Sequence, residues 1–309
     1  GKVMVGVSGG ERGIRGFVTA LDADTGAEVW KTYTIPGPGE PGNDTWPGDS
    51  WRTGGAPVWV TGTFDPELNL FYYGTSNCSP WNPDYRREWG VVELDEDGGL
   101  TGYRNNYCSS ILARDADSGD LIWAYNMTPQ DQWDLDEPNA NILVDLEIDG
   151  RLRKALVRPA RNGFFYVFDR ATGEMLLEPW NFVYNDLIQG VNMETGRPRY
   201  DIRKIMFTDL EDRQKYVPDA EDIAVGWCPG IAARNWQNDA FSPRTGLVYT
   251  PTSNRCGIQR VVEGEYVPGD GYTLRERGGQ APRPPGEEYA GELQANDPVA
   301  SETVWSIRW

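Results

Sequence analysis

The chain has 309 residues, of which 39% are hydrophobic and 25% charged, and no apolar run reaches eighteen residues, which excludes a membrane-spanning helix. Histidine is absent, which removes the Ser-His-Asp triad, the HExxH zinc site, the His-based iron triad and CxxCH haem attachment together. With 47 Asp and Glu against 29 Lys and Arg, the net charge of −18 argues against a nucleic-acid partner, since phosphate binding needs clustered basic residues. Catalysis here must run on carboxylates, cofactors or metals held by oxygen. Most acidic residues read as solvated surface, and a minority as a hard-cation site or a face for a cationic partner. The 36 Gly, 22 Pro, 13 Trp and 15 Tyr form a turn-rich, aromatic-rich composition that predicts an all-β fold of short strands.

The chain opens in a strand-like run, "KVMVGVSGG", without a signal peptide, so its start reads as that of a trimmed or partial product. An eleven-residue pattern follows, Ala-x-Asp-x-x-Thr/Ser-Gly-x-x-x-Trp, at Ala20–Trp30 and again at Ala113–Trp123. Weaker copies start at Thr63, Val167, Ala240 and Ala295, the last keeping Trp305 but replacing Thr-Gly with Ala-Ser. The six starts lie 43, 50, 54, 73 and 55 residues apart, which brackets the period of four-stranded propeller blades. Each copy predicts a hairpin: a strand ends in an Asp-containing turn, Gly takes the positive-φ position, and a second strand leaves with Trp at its end. A lone hairpin cannot bury both faces, so blades must stack, with Trp suited to wedge between neighbours. The reading is a single β-propeller domain over 1–309, with long loops inserted at about 36–50 and 181–230.

Among residues that can carry chemistry, Trp133-Asp134-Leu135-Asp136 places two carboxylates two apart, on one side of an extended segment, able to face one cation. Alone, such a pair beside Pro and Asn is more often a solvated turn. Glu11, in "SGGERG", would alone pass for an exposed charge in a Gly-rich turn. Asn77, in "GTSNCSPWN", would pass for a turn residue or an Asn-Cys-Ser glycosylation acceptor. The four cysteines, Cys78, Cys108, Cys228 and Cys256, have no CxxC spacing, and disulfides in an oxidising compartment remain open.

The repeat, with "PGPGEPGNDTWPGDSW", "TGGAPVWVTGTFDPELNLFYYGTSN", "TPQDQWDLD", "ARNGFFYVFDRATGE" and "WCPGIAARNWQNDAFSPRTGLVYTP", resembles the quinoprotein alcohol dehydrogenases. These are eight-bladed propellers that carry pyrroloquinoline quinone (PQQ) and a metal ion on the axis. The strings occur in the family's order over nearly the whole chain, and members are longer, so the resemblance implies the middle and later blades of an incomplete ring. By resemblance, Asp134 is the catalytic base, and Asp136 matches the extra carboxylate of lanthanide-dependent members. Glu11, Asn77, Asp134 and Asp136 would then ligate a lanthanide ion, or Ca²⁺, through oxygen. Trp59 resembles the floor under the quinone, and Arg161 the cation on its reactive carbonyl, where it also serves catalysis. Asn235, Trp236, Ser8 and Gly10 would complete the cofactor contacts. Cys228 and Cys256 resemble a family disulfide, with Cys78 and Cys108 as a second bridge. Departures are Gln130, where relatives often have His, and Ala232-Ala233, where a Gly pair is usual.

What the resemblance implies is oxidation of a small primary alcohol, methanol- or ethanol-like, to the aldehyde, with a cytochrome c-type acceptor and a periplasmic or extracellular location. A homodimer is among the expectations. The competing readings are a non-enzymatic β-propeller scaffold and a degenerate metal-binding fragment.

Overall fold

A computed structural model describes residues 1–230, 232–279 and 282–309. The strands follow in chain order, and four antiparallel sheets account for most of them. The first sheet holds β1 (Lys2–Gly6), β2 (Phe17–Asp22) and β3 (Glu28–Tyr33). The second holds β4 (Thr63–Asp65), β5 (Leu70–Gly74), β6 (Ser110–Asp115) and β7 (Leu121–Asn126). The third holds β8 (Ile142–Ile148), β9 (Arg151–Pro159), β10 (Phe164–Asp169) and β11 (Trp180–Asn181).

Between the third and fourth sheets run a hairpin of β12 (Ile188–Asn192) and β13 (Arg197–Tyr200), the helix α1 (Leu210–Tyr216), and β14 (Val225–Trp227). The fourth sheet is built from β15 (Ala240–Ser242) and β16 (Leu247–Ser253), joined after an excursion by β19 (Gly291–Asp297) and β20 (Glu302–Arg308). That excursion carries β17 (Gly257–Val261) and β18 (Arg275–Arg277), which pair with β14 as a separate three-stranded sheet. The segment 36–50 lies between β3 and β4, and 181–230 between β11 and β15. Two excursions that the sequence reading passed over, 75–109 and 254–290, interrupt the second and fourth sheets.

The sheets stack as propeller blades, and the second and third are buried on both faces. In β5, Leu70 and Tyr72 pack towards the third sheet while Phe71 and Tyr73 pack towards the first. In β10, Phe164, Tyr166 and Phe168 face the second sheet, and Phe165 and Val167 share a cluster with Val248 of the fourth. This is period-two alternation with both faces apolar, which explains the near-continuous hydrophobic strands.

All six repeat copies form hairpins, but they do not mark one blade each. Those at Ala113, Val167 and Ala295 join the third and fourth strands of a blade, that at Ala20 joins the last two strands of the three-stranded first sheet, and Thr63 and Ala240 begin first-to-second-strand hairpins of the second and fourth blades. The same turn chemistry serves both positions: Asp65 accepts the Glu67 N–H at 2.9 Å as Asp115 accepts that of Asp117 at 2.9 Å. The spacing therefore mixed two classes of turn, and two true blade intervals were each split by a false copy.

Tryptophan locks neighbouring blades as the pattern predicts. Trp30 donates its indole N–H to the Ala116 carbonyl of the next blade at 3.2 Å, and its ring lies where a Cβ on Gly119 would come within 2.7 Å. Trp123 repeats this on the third blade, donating to the Arg170 carbonyl at 3.1 Å and lying 2.7 Å from where a Gly173 Cβ would stand. At the next junction both halves change together, with Leu177 in the Trp position and Ser301, at φ 57°, in the Gly position.

Candidate functional site

Strand polarity decides where the predicted residues gather. In an up-and-down blade, the first-to-second and third-to-fourth turns emerge at one rim, and the second-to-third and blade-to-blade connections at the other. Asn77 follows β5 and Arg161 follows β9, both in second-to-third connections, and Ser8, Gly10 and Glu11 follow β1 in the connection of the three-stranded first sheet that lies opposite its β2–β3 turn. Trp59 follows β3, Asp134 and Asp136 follow β7, and Asn235 and Trp236 precede β15, all in blade-to-blade connections. Every candidate thus lies on one rim, away from the Asp-Thr-Gly turns. Two disulfides brace that rim: Cys78–Cys108, with Cα atoms 5.2 Å apart, and Cys228–Cys256, 4.3 Å apart. The first, with Ile35, Trp46, Trp51 and Ala56, packs the 34–62 and 75–109 segments together and so carries Asn77.

At the centre, Arg161 and Asp136 form a buried ion pair. The Arg161 guanidinium also donates to the Asp134 carbonyl at 2.8 Å and to Asn235 Oδ1 at 3.4 Å. The other oxygen of Asp136 accepts from Trp59 Nε1 at 3.0 Å and Ser76 Oγ at 3.1 Å, and Ser76 Oγ lies 2.7 Å from Asn77 Oδ1. Six predicted residues therefore share one polar net: Trp59, Asn77, Asp134, Asp136, Arg161 and Asn235. Gly10 belongs beside it by contact, because a Cβ there would meet Asn77 Oδ1 at 2.8 Å. Ser8 and Trp59 line one cavity of about 370 Å³. Glu11 sits on an exposed 3₁₀ turn at Gly10–Arg12, and Trp236 is exposed beyond Asn235.

Electrostatics concentrate on Asp134. It takes φ 67°, a left-handed conformation unusual outside Gly, Asn and Asp, and its carboxylate lies 3.8 Å from Arg275 Nη2. Burial, and then the negative charge of Asp136, push its pKa well above the usual carboxylate range, against the pull of Arg161 and Arg275. Burial alone would lower the Arg161 pKa, but Asp136, Asp134, Glu137 and Asp131 raise it, so the guanidinium is held charged.

A hard cation suits these donors. Asn77, Asp134, Asp136 and Glu11 offer oxygen alone, and the repulsion between the Asp134 and Asp136 carboxylates, which raises the Asp134 pKa, is one that a cation would relieve. No group of three or more His, Cys, Asp or Glu forms a ready cage among the described residues, since Asp136 is engaged by Arg161 and Glu11 stands at the rim. A planar quinone suits the same place through Trp59, Arg161 and Asn235, an aromatic face beside fixed polar groups.

Residues 2–179 match the family described as "PQQ: Glucose/ethanol/alcohol dehydrogenase, beta-propeller domain". The chain belongs to this family. It is 37% identical to the lanthanide-dependent methanol dehydrogenase of Methylacidiphilum fumariolicum (strain SolV), over 99% of this chain and 49% of the relative. It is 36% identical to the quinohemoprotein alcohol dehydrogenase ADH IIB of Pseudomonas putida, over 99% of this chain and 42% of the relative. Among solved structures, a europium-containing methanol dehydrogenase superposes with a TM-score of 0.83 at 35% identity, covering 99% of this chain and 52% of the other. The chain thus spans about half the length of the relatives it matches.

Within this quinoprotein propeller, several residues that hold the site went unnoticed in the sequence. Asp131 accepts backbone N–H groups from Trp133 at 3.0 Å and Leu135 at 3.1 Å, and Ser109 Oγ at 2.8 Å, so it folds the segment that presents Asp134 and Asp136. Glu137 accepts from Arg158 at 2.7 Å and from the Arg161 backbone N–H at 2.9 Å. Ser76 bridges Asn77 to Asp136, and Arg275 faces Asp134 while lying 3.3 Å from the centroid of the Trp81 ring. Asp131 and Glu137 had a signal in the run "DQWDLDE", where four acids in seven residues cannot all be solvated ligands. Arg275 had none, being 141 residues from Asp134. Gln130 is structural, donating to the Tyr103 carbonyl at 2.9 Å, and Ala232 takes φ 66° where the usual Gly would be unstrained.

Proposed function

We propose that this chain carries the alcohol-oxidising site of a PQQ-dependent dehydrogenase acting on a small primary alcohol to give the aldehyde. The observation that carries the reading is the Arg161 guanidinium, which gathers the Asp134 carbonyl and the Asn235 carboxamide around its buried pair with the Asp136 carboxylate. When bound, PQQ would supply the two-electron acceptor and the metal a Lewis acid. Asn77, Asp134, Asp136 and Glu11 would hold the ion, with Asp136 favouring a trivalent lanthanide over Ca²⁺. Trp59, Asn235, Trp236, Ser8 and Gly10 would hold the quinone.

The chain's own part in the reaction is proton transfer and charge placement. Asp134, ionised, takes the alcohol's hydroxyl proton on its carboxylate. Arg161 stays charged beside the developing negative charge, and its hydrogen bond to the Asp134 carbonyl fixes that segment. Electrons would leave to a cytochrome c-type acceptor. Two disulfides suit an oxidising compartment such as the periplasm, and no helix among the described residues is long and apolar enough to cross a membrane.

Thermal unfolding with and without PQQ, in La³⁺ and separately in Ca²⁺, tests the binding half of the proposal. A PQQ-dependent rise in Tm, larger with La³⁺, is expected. No rise in any combination would remove the cofactor assignment. Asp134→Asn, which keeps the shape, should lose PQQ-dependent turnover, and full turnover in that variant would remove the assignment of the base.

A further inference from the structure

A cavity of about 210 Å³ shares no residue with the polar net around Arg161. Three stretches remote in sequence wall it: the 104–107 part of the 75–109 excursion, the end of β7 with Pro129 beyond it, and the turn of the β12–β13 hairpin. All lie between residues 104 and 197, away from both ends of the chain. The walls are held by bonds of their own. The Arg104 carbonyl accepts the Gln130 N–H at 2.8 Å, and the Tyr125 hydroxyl donates to the Gly196 carbonyl at 2.9 Å. Asn192 Oδ1 accepts the N–H groups of Glu194 at 2.9 Å and Thr195 at 3.1 Å, which folds the hairpin turn. A Cβ on Gly196 would come within 3.3 Å of the Tyr125 ring, so glycine lets that turn close on β7.

Three polar atoms of residues on this cavity go unmet. Arg104 Nε, Asn126 Oδ1 and Arg197 Nε are each buried with no hydrogen-bond partner among the described residues. Elsewhere a buried guanidinium is used up by its surroundings, as Arg86 is by the Pro80 and Asp131 carbonyls and Asn105 Oδ1. Arg197 keeps one nitrogen on Asp95 at 3.2 Å, whereas Arg104 has no carboxylate partner among the described residues. The Arg104 charge is felt at the cavity wall: burial pushes the Tyr107 phenol pKa up, Arg114 pulls it down, Asp44 adds to the rise, and Arg104 pulls against it. Unmet buried donors and acceptors cost free energy, and water can bond to them but cannot neutralise a guanidinium. Two open Nε donors call for carboxylate oxygens, and Asn126 Oδ1 calls for a donor on the same occupant. With Arg197 already paired, one positive charge is left over, which matches a single carboxylate.

We infer that this cavity binds a small hydroxycarboxylate, with its carboxylate on Arg104 and Arg197, its hydroxyl donating to Asn126 Oδ1, and its body against Tyr107 and Tyr125. The volume is below the roughly 300–1,000 Å³ of sites for larger organic ligands, which sets the size of the occupant. The aromatic lining suits a flat one. This inference stands apart from the proposed chemistry and needs no cofactor.

The test is titration calorimetry of the purified protein with para-hydroxybenzoate, without PQQ or added metal, beside benzoate and phenol, each of which keeps one of the two polar groups. One site per chain is expected, with para-hydroxybenzoate the tightest and phenol weaker by about tenfold or more, as loss of a charge-assisted hydrogen bond implies. Arg104→Gln should weaken para-hydroxybenzoate by a similar factor, with circular dichroism unchanged because that guanidinium has no carboxylate partner to lose. Asn126→Ala should bring para-hydroxybenzoate and benzoate to the same affinity, a readout that does not depend on how Arg104→Gln folds. Arg275→Gln, which removes the cation facing Asp134, should leave binding as it is and so separates this cavity from the Asp134 site. Absence of binding, equal binding of phenol, indifference to Arg104→Gln, a hydroxyl preference that survives Asn126→Ala, or loss of binding in Arg275→Gln would each overturn the inference.

Discussion

The two rims of the propeller solve the same problem, how to end a strand, by opposite means. At the turn rim each hairpin satisfies itself: Asp22 accepts the Thr25 backbone N–H at 2.9 Å, Asp115 that of Ser118 at 2.8 Å, and Asp297 that of Ala300 at 2.9 Å. At the site rim the partners are remote in sequence, as in Trp59 with Asp136, Asn139 with Asn235, and Arg275 with Asp134. Local satisfaction makes a turn repeatable and chemically inert, since its carboxylates are already used. Remote satisfaction costs loop entropy, but it lets charged groups be buried in unlike company, which shifts their pKa values and makes chemistry available.

The sharpest test of this difference is a single buried partner at the site rim. Arg158 and Glu137 are both fully buried and paired at 2.7 Å, and Glu137 also receives the Arg161 N–H. Glu137→Gln leaves the Arg158 charge uncompensated in a dry setting, which should cost about 3–5 kcal/mol in urea unfolding. By contrast Asp49→Asn, at an exposed pair with Arg52 on the same rim, should cost less than about 0.5 kcal/mol. Equal effects would mean that burial at this rim is not what distinguishes it.

Next in size are the glycines of the turn rim. Gly173→Ala must tolerate φ 76° and also push aside the Trp123 ring, so a loss of about 2–4 kcal/mol is expected. Gly246→Ala meets φ 72° in open space, and only the backbone term of about 1–2 kcal/mol remains. The difference in denaturant midpoint between these variants measures the tryptophan lock alone; no difference would mean that Trp123 repacks freely.

These contrasts also explain what could be read from the chain itself. The turn rim was legible because its chemistry lies within eleven residues, so Asp115, Gly119 and Trp123 announce their roles together. What failed was counting, because Asp65 caps a first-to-second-strand turn with the same local rule. For Asp134 and Asp136 the spacing of two gave a weak local hint, resemblance to a family singled them out together with Arg161, and the structure brings the three into contact. Ser76, Glu137 and Arg275 act by position in space, which strand order and loop path fix and spacing does not encode. Likewise, only strand polarity shows that candidates from Ser8 to Trp236 must share a rim.

The smallest expected effect, and the one that compares the rims most directly, is the pH dependence of two aspartates. Asp115 is held below the usual carboxylate range, first by the Ser118 backbone N–H, with partial burial opposing. Its folded-state pKa is below the unfolded value near 4, so its contribution is present above that value and fades as pH falls through the folded pKa. Asp131 is pushed upward, first by burial, against the N–H groups of Trp133 and Leu135 and the Ser109 hydroxyl. Its sign is reversed: the folded state takes up the proton more readily, so a penalty present above the folded pKa is relieved as pH falls. Urea unfolding of Asp115→Asn and Asp131→Asn between about pH 7 and pH 3 should therefore diverge relative to the unmodified protein. The Asp115→Asn deficit should shrink on acidification, because the parent loses the same interaction. The Asp131→Asn variant should fall further behind, because only the parent gains a proton there. Parallel curves would mean that the two rims hold their carboxyl groups alike, and the contrast between a self-satisfied rim and a chemically tuned one would be lost.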